Sequence, residues 1–209
     1  MPVFSKGDFH ALFIHVPKTG GSSIENLFET AGYDVSFLRR EPLNVRAKIN
    51  HLRRCSPQHM HAELLDQTFR LRAFDVVFMF VREPIDRFRS EYAFNSRKSF
   101  DPSSAAVDRW ANEKFRNYRE NPFAADNHLR PQSEFYVPGA EVFRYEDGLE
   151  AGLRDLNDRY ELGLPTAVPH ENSSTRESVG SSSAAVEISA GLERRLRTLY
   201  ASDFAQFGY

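Results

Sequence analysis

The sequence predicts an α/β domain with a central, mainly parallel β-sheet flanked by helices. Three observations carry that expectation. Two short runs, residues 11–16 (ALFIHV) and 76–81 (VVFMFV), are almost wholly apolar, as strands buried on both faces are. Each gives way through loop-forming residues to a stretch of helical character, 22–31 after the first and 84–94 after the second. A third run, 140–145 (AEVFRY), precedes residues 146–160, where Leu149, Leu153 and Leu156 recur at helical spacing. Strand, turn and helix repeated in this order build a parallel sheet with covering helices.

The last helix is expected over 186–200, with Ile188, Leu192, Leu196 and Leu199 on one face. Residues 169–185 are Ser-rich and read as a loop, either a lid at the sheet's carboxyl edge or a plain connector. At 209 residues the chain fits one domain, 1–209.

With 41% hydrophobic residues and 18 Phe, the composition is that of a globular protein with an aromatic core. The formal net charge of −2 provides no overall field for nucleic acid, so any anion site must be local. Two local clusters exist: Arg39, Arg40, Arg46, Lys48, Arg53 and Arg54, and then Arg82, Arg87, Arg89, Arg97 and Lys98. Either could equally be a solvated helix face. Cys55 is the single cysteine, which suits a reducing, cytoplasmic setting. Residues 1–10 lack the pattern of a secretory leader, and no apolar run is long enough to span a membrane.

The chemistry-bearing stretch is HVPKTGGSSIENLF, residues 15–28. A loop between a buried strand and a helix gathers the free N–H groups of the helix start, and glycines let an anion approach them. Lys18 adds a full charge, and Thr19, Ser22 and Ser23 add hydroxyls. The order K-T-G-G-S-S is not the G-x-x-x-x-G-K-[ST] of nucleoside-triphosphate loops, and no G-x-G-x-x-G is present. The same residues also read as a helix cap, with Ser22 or Ser23 capping and Glu25 completing a box with Ser22. The second stretch, FVREPIDRFRSEY at 80–92, places Arg82 at a strand's carboxyl end, Pro84 in a first helical turn and Ser90 about two turns on. Arg82 could alternatively pair with Glu83 or Asp86.

Together the two motifs resemble those of the sulfotransferases that use 3′-phosphoadenosine 5′-phosphosulfate (PAPS), closest in style to the carbohydrate (heparan- and chondroitin-type) enzymes. The resemblance implies a P-loop-like fold and transfer of a sulfuryl group from PAPS to a hydroxyl of a saccharide acceptor, leaving 3′-phosphoadenosine 5′-phosphate (PAP). It implies that Lys18, Thr19, Gly20, Gly21, Ser22 and Ser23 hold the 5′-phosphosulfate, with Lys18 at the leaving oxygen, and that Arg82 and Ser90 hold the 3′-phosphate. HMHAEL at 59–64 resembles the segment that supplies a catalytic His in heparan sulfate 2-O- and 6-O-sulfotransferases, implying His61 as general base with His59 as the alternative. DNHLRPQSEFY (126–136) and LYASDFAQFGY (199–209) resemble further segments of this group. They make His128, Arg130 and Gln132 candidates for acceptor or cofactor contact, or for plain surface and turn roles.

Sulfuryl transfer to an alcohol needs a base for the acceptor proton, positive charge at the leaving oxygen and alignment of the two reactants. A neutral imidazole suits the first task. No ligand spacing demands a metal. The basic run from Arg39 to Arg54 suits an anionic saccharide, and loops at 37–58, 95–132 and 169–185 are expected to shape the acceptor side. Two other classes remain open from the sequence: a P-loop-type nucleotide kinase, which needs the other Lys order and an acidic Mg²⁺ ligand, and a catalytically silent PAPS- or carbohydrate-binding protein.

Overall fold

A computed structural model describes residues 1–38, 52–165 and 182–209. Five strands, β1 (Val3–Lys6), β2 (Phe9–Ile14), β3 (Asp34–Ser36), β4 (Val76–Val81) and β5 (Glu141–Arg144), lie in the order β3-β1-β2-β4-β5. β2 pairs with β4 and β4 with β5 in parallel, whereas β1 is antiparallel to both of its neighbours. β3 therefore runs in the same direction as β2, and β1 is the one reversed strand in a mainly parallel sheet. β1 joins β2 through Gly7 and Asp8, since Lys6 and Phe9 pair directly. Gly7 takes φ 60°, the left-handed conformation that so short a hairpin favours.

The three expected strands are β2, β4 and β5. Alternation along β2 and β4 sends Phe13, Phe78 and Phe80 to one face of the sheet and Leu12, Ile14, Met79 and Val81 to the other, all fully buried. The first face packs on α1 (Gly21–Thr30) and α5 (Leu149–Tyr160); the second packs on α2 (Ala62–Thr68) and α7 (Ala201–Phe207). Burying each such side chain contributes about 1.5–3 kcal/mol. The stacked rings of Phe4 and Phe28, 4.0 Å apart, tie α1 to β1.

α3 (Pro84–Ser96) begins where Pro84 fits the first turn, and the Glu83 carboxylate caps it by accepting from the Asp86 N–H. α6 (Ala190–Leu199) starts later than the apolar pattern suggests, because the Ser189 hydroxyl caps it by accepting from the Leu192 N–H at 3.1 Å. The largest departure is residues 95–132, expected as loop, where α4 (Ser104–Glu120) stands. Val107, Ala111 and Phe115 bury its thin apolar stripe in a cluster shared with α3 and α6. Among the described residues no helix is long and apolar enough to cross a membrane.

Candidate active site

The carboxyl ends of β2, β4 and β5 share one edge of the sheet, and a cleft of about 580 Å³ opens there. Lys18 and the start of α1 follow β2, Arg82 follows β4 and Tyr145 follows β5, and all of them line the cleft. Ligands of open α/β sheets bind at such edges because loops diverge there. A second depression of about 540 Å³, between α4 and α6, contains none of the site residues identified from sequence.

Gly20 precedes α1 in the left-handed conformation, φ 88°, and no side chain caps the helix. The capping box expected from Ser22 and Glu25 does not form. Ser22 and Ser23 lie inside the first turn, and the Glu25 carboxylate instead accepts from His15 Nδ1 at 2.6 Å. The N–H groups of Ser23 and Ile24 donate to the Gly20 carbonyl, and those of Gly21 and Ser22, ahead of them, are the ones at the helix start available to an anion. Gly21 is required by packing: a Cβ there would lie 2.1 Å from His15 Nε2. The Thr19 hydroxyl donates to the Val16 carbonyl, and the polar residues among 18–23 that line the cleft are Lys18, Ser22 and Ser23.

Lys18 itself is left-handed, φ 71°, which is strained backbone for a non-glycine residue at a candidate site. Its ammonium rests 4.0 Å from the centre of the Phe94 ring. Burial lowers its pKa from the ordinary 10.5, opposed by Glu91 and reinforced by Arg82 and Arg97. Arg82 lies with its guanidinium 4.7 Å from the Tyr145 ring centre, and Ser90 on α3 lines the same cleft. Other members of the second basic cluster do different work. Arg87 is buried, donating to the carbonyls of His128 and Arg130, and Arg89 pairs with Asp86.

Three histidines form a row along the cleft. His59 meets His15 on one side and His128 on the other, edge to face, with ring centres 4.9 Å apart in each pair. Each is held through Nδ1 by a carboxylate: His15 by Glu25, His59 by Asp126 at 2.8 Å and His128 by Glu91 at 2.7 Å. Burial pushes His59 well below its ordinary 6.5 despite the pull of Asp126, so its ring is neutral. Burial opposes ionisation of Asp126, but the hydrogen bond from the His59 ring and the bonds from Ser56 outweigh it and hold the carboxyl low. An ionised carboxylate only accepts, so Nδ1 of His59 carries the proton and Nε2 keeps its lone pair.

Asp126 reaches His59 from three consecutive left-handed residues, Ala125, Asp126 and Asn127, with φ of 53°, 56° and 64°. That conformation costs about 1–2 kcal/mol per residue, least for Asp and Asn. Bonds to the 56–59 segment offset it: Asp126 accepts from the Ser56 N–H, and Asn127 Nδ2 donates to the His59 carbonyl at 2.8 Å.

His61, the base expected from the sequence, is absent from the lining of the cleft. It precedes α2, its ring lies against Phe123, and its Nδ1 is buried without a hydrogen-bond partner. His128 lines the cleft, whereas Arg130 is buried, donating to Asn127 and the Pro122 carbonyl and pairing with Glu134. Gln132 is fully buried and brackets the Arg82 backbone, accepting from its N–H at 2.9 Å and donating to its carbonyl at 2.7 Å. The sequence reading missed Asp126, Glu91 and Phe94. Glu91 follows Ser90 and Asp126 opens the 126–136 segment, but no spacing pairs either carboxylate with its histidine. Arg39, Arg40, Arg46 and Lys48 lie outside the described residues, as does most of the Ser-rich loop.

Among the described residues, His59, Asp126 and His128 bring potential metal-ligating atoms within 4.8 Å of one another, but the carboxylate bonds already account for both Nδ1 atoms. No curated protein and no solved structure matches the chain. The model of the sulfotransferase family matches it over residues 2–209, and the protein therefore belongs to that family.

Proposed function

We propose that the protein transfers the sulfuryl group of PAPS to a hydroxyl of a saccharide, with His59 as the base. The observation that carries this reading is the presence, in one cleft, of two cationic cradles on adjacent parallel strands beside a carboxylate-held neutral imidazole. The donor set fits a ligand with two anionic ends. Lys18, Ser22 and the N–H groups of Gly21 and Ser22 at the start of α1 suit a phosphosulfate, and Arg82 with Ser90 suits a phosphate. PAPS, when bound, supplies the sulfuryl group and leaves as PAP.

His59 is chosen over His61 because it lines the cleft and its Nδ1 is anchored, leaving Nε2 to take the acceptor proton. Lys18 supplies the positive charge at the leaving oxygen. A saccharide acceptor is supported by the resemblance to carbohydrate enzymes and by exposed Arg53 and Arg54, the last members of the basic run. A cytoplasmic location is part of the proposal, resting on the single cysteine, Cys55.

The test is thermal shift with PAP against ATP plus Mg²⁺, followed by label transfer from PAPS to candidate saccharides. Stabilisation by PAP alone together with label transfer is expected. Stabilisation by ATP plus Mg²⁺ would point to the kinase class, and PAP binding with no transfer to any acceptor would point to a silent binding protein.

A further inference from the structure

The two residues that follow β4, Arg82 and Glu83, are fixed through their backbones by side chains from distant segments, and α7 with the residues after it holds those segments in turn. On the first path Gln132 brackets the N–H and the carbonyl of Arg82. Asp203 on α7, fully buried, accepts from the N–H of Gln132 and the N–H of Ser133, both at 2.8 Å, and from the Ser133 hydroxyl at 2.7 Å. On the second path Glu146 Oε1 accepts from the N–H of Glu83 at 2.7 Å, while its Oε2 accepts from the Tyr209 hydroxyl at 2.9 Å. Glu146 follows Tyr145, the ring against which the Arg82 guanidinium rests. The backbone that aims Arg82 is therefore held on both sides, and each holder has its own support.

We infer that Asp203 and Tyr209 are positioning residues for Arg82, setting the aim of its guanidinium and through it the recognition of a 3′-phosphate. The inference deepens the proposed function and rests on its assignment of Arg82. Neither residue lines the cleft, so each acts through an intermediate: Asp203 through Gln132, and Tyr209 through Glu146. Losing a properly placed charged donor weakens a phosphate contact by roughly tenfold or more, since hydrogen bonds to charged groups contribute about 1.5–3 kcal/mol.

The experiment measures affinity for PAP and for adenosine 5′-monophosphate, which lacks the 3′-phosphate, in wild type, Arg82→Ala, Asp203→Asn and Tyr209→Phe. Wild type is expected to prefer PAP strongly and Arg82→Ala to lose the preference. Each relay variant should reduce it by about tenfold with little change in monophosphate affinity, an effect the size of one charged hydrogen bond. A merely structural role would lower both affinities together, along with the unfolding midpoint. Asp203→Asn can weaken the fold, because an Asn amide would face a backbone N–H. Tyr209→Phe removes one hydroxyl and serves as the milder arm. If wild type shows no preference for PAP, the assignment of Arg82 fails. If wild type prefers PAP and Tyr209→Phe keeps the full preference, the relay through Glu146 is wrong; the same outcome in folded Asp203→Asn removes the relay through Gln132.

Discussion

His59 donates through Nδ1 to Asp126 across 2.8 Å, and the two residues are 67 positions apart in the chain. The bond fixes which nitrogen of the ring keeps its lone pair, a second carboxylate–histidine pair lies directly beside it, and its carboxylate is presented by strained backbone. Such an arrangement orients the imidazole and leaves its Nε2 as the proton acceptor.

His59→Ala should lower kcat by about 100- to 10,000-fold, the usual contribution of a positioned general base. Asp126→Asn should lower it by less, because the imidazole is kept but its tautomer is freed. PAP affinity, measured by calorimetry, should hold in both. His61→Ala should turn over at close to the wild-type rate. A loss there as large as that of His59→Ala would return the base to His61.

Lys18→Ala should be about 100- to 1000-fold slower, as expected for removal of one preorganised donor at a developing charge. Because burial lowers the Lys18 pKa, the charged form is lost at a lower pH than for an ordinary lysine. The rate should accordingly fall on the alkaline side below pH 10.5. Lys18→Arg, whose guanidinium stays charged, should lack that limb whatever its absolute rate. A pH–rate profile of both enzymes checks this.

Stability should fall on acidification. Below the ordinary histidine value of 6.5 the unfolded chain binds a proton at position 59 that the folded chain refuses, so the stabilisation present above that value is lost as pH drops through it. Asp126 acts with the same sign at lower pH: its carboxyl is held low, and its contribution is present above 3.8 and lost below. The unfolding midpoint should decline from about pH 7.5 to pH 5, and less steeply in His59→Gln. A flat wild-type profile would mean that His59 is not buried in the neutral form.

Two glycines are predicted to resist alanine for steric reasons. In Gly21→Ala the new Cβ would meet His15 Nε2 at 2.1 Å, and in Gly152→Ala it would meet Phe80 Cζ at 2.8 Å. Overpacking of this kind costs about 1–3 kcal/mol, measurable by urea unfolding. Gly21→Ala should also slow turnover, because the His15 ring it displaces packs against His59. Gly152→Ala, which touches only core rings, should leave the rate per folded molecule unchanged.

The parallel strands were legible because each is a short apolar run with both faces buried, a property carried by consecutive residues. β1, β3 and α4 were not. β1 and β3 are short segments joined by antiparallel pairing, and the three buried positions of α4 sit among charged ones. In the site, the phosphate-loop candidates were visible because strand, loop and helix start are contiguous. The Thr19 hydroxyl donates to the Val16 carbonyl within its own loop, a contact that residue type and spacing leave unspecified.

By itself the sequence determined the α/β class and the two cationic loops that resemble those of PAPS-dependent enzymes, because local order and side-chain type suffice for both. Only the tertiary structure decided that His59 lines the cleft while His61 packs on Phe123, that Asp126 and Glu91 hold the histidine row, and that Gln132 grips the backbone of Arg82. These are contacts between residues some 40 to 70 positions apart. A periodicity of two or 3.6 residues is blind to such pairs, and only the closing of the sheet and the seating of the 121–132 segment across it bring them within hydrogen-bond reach.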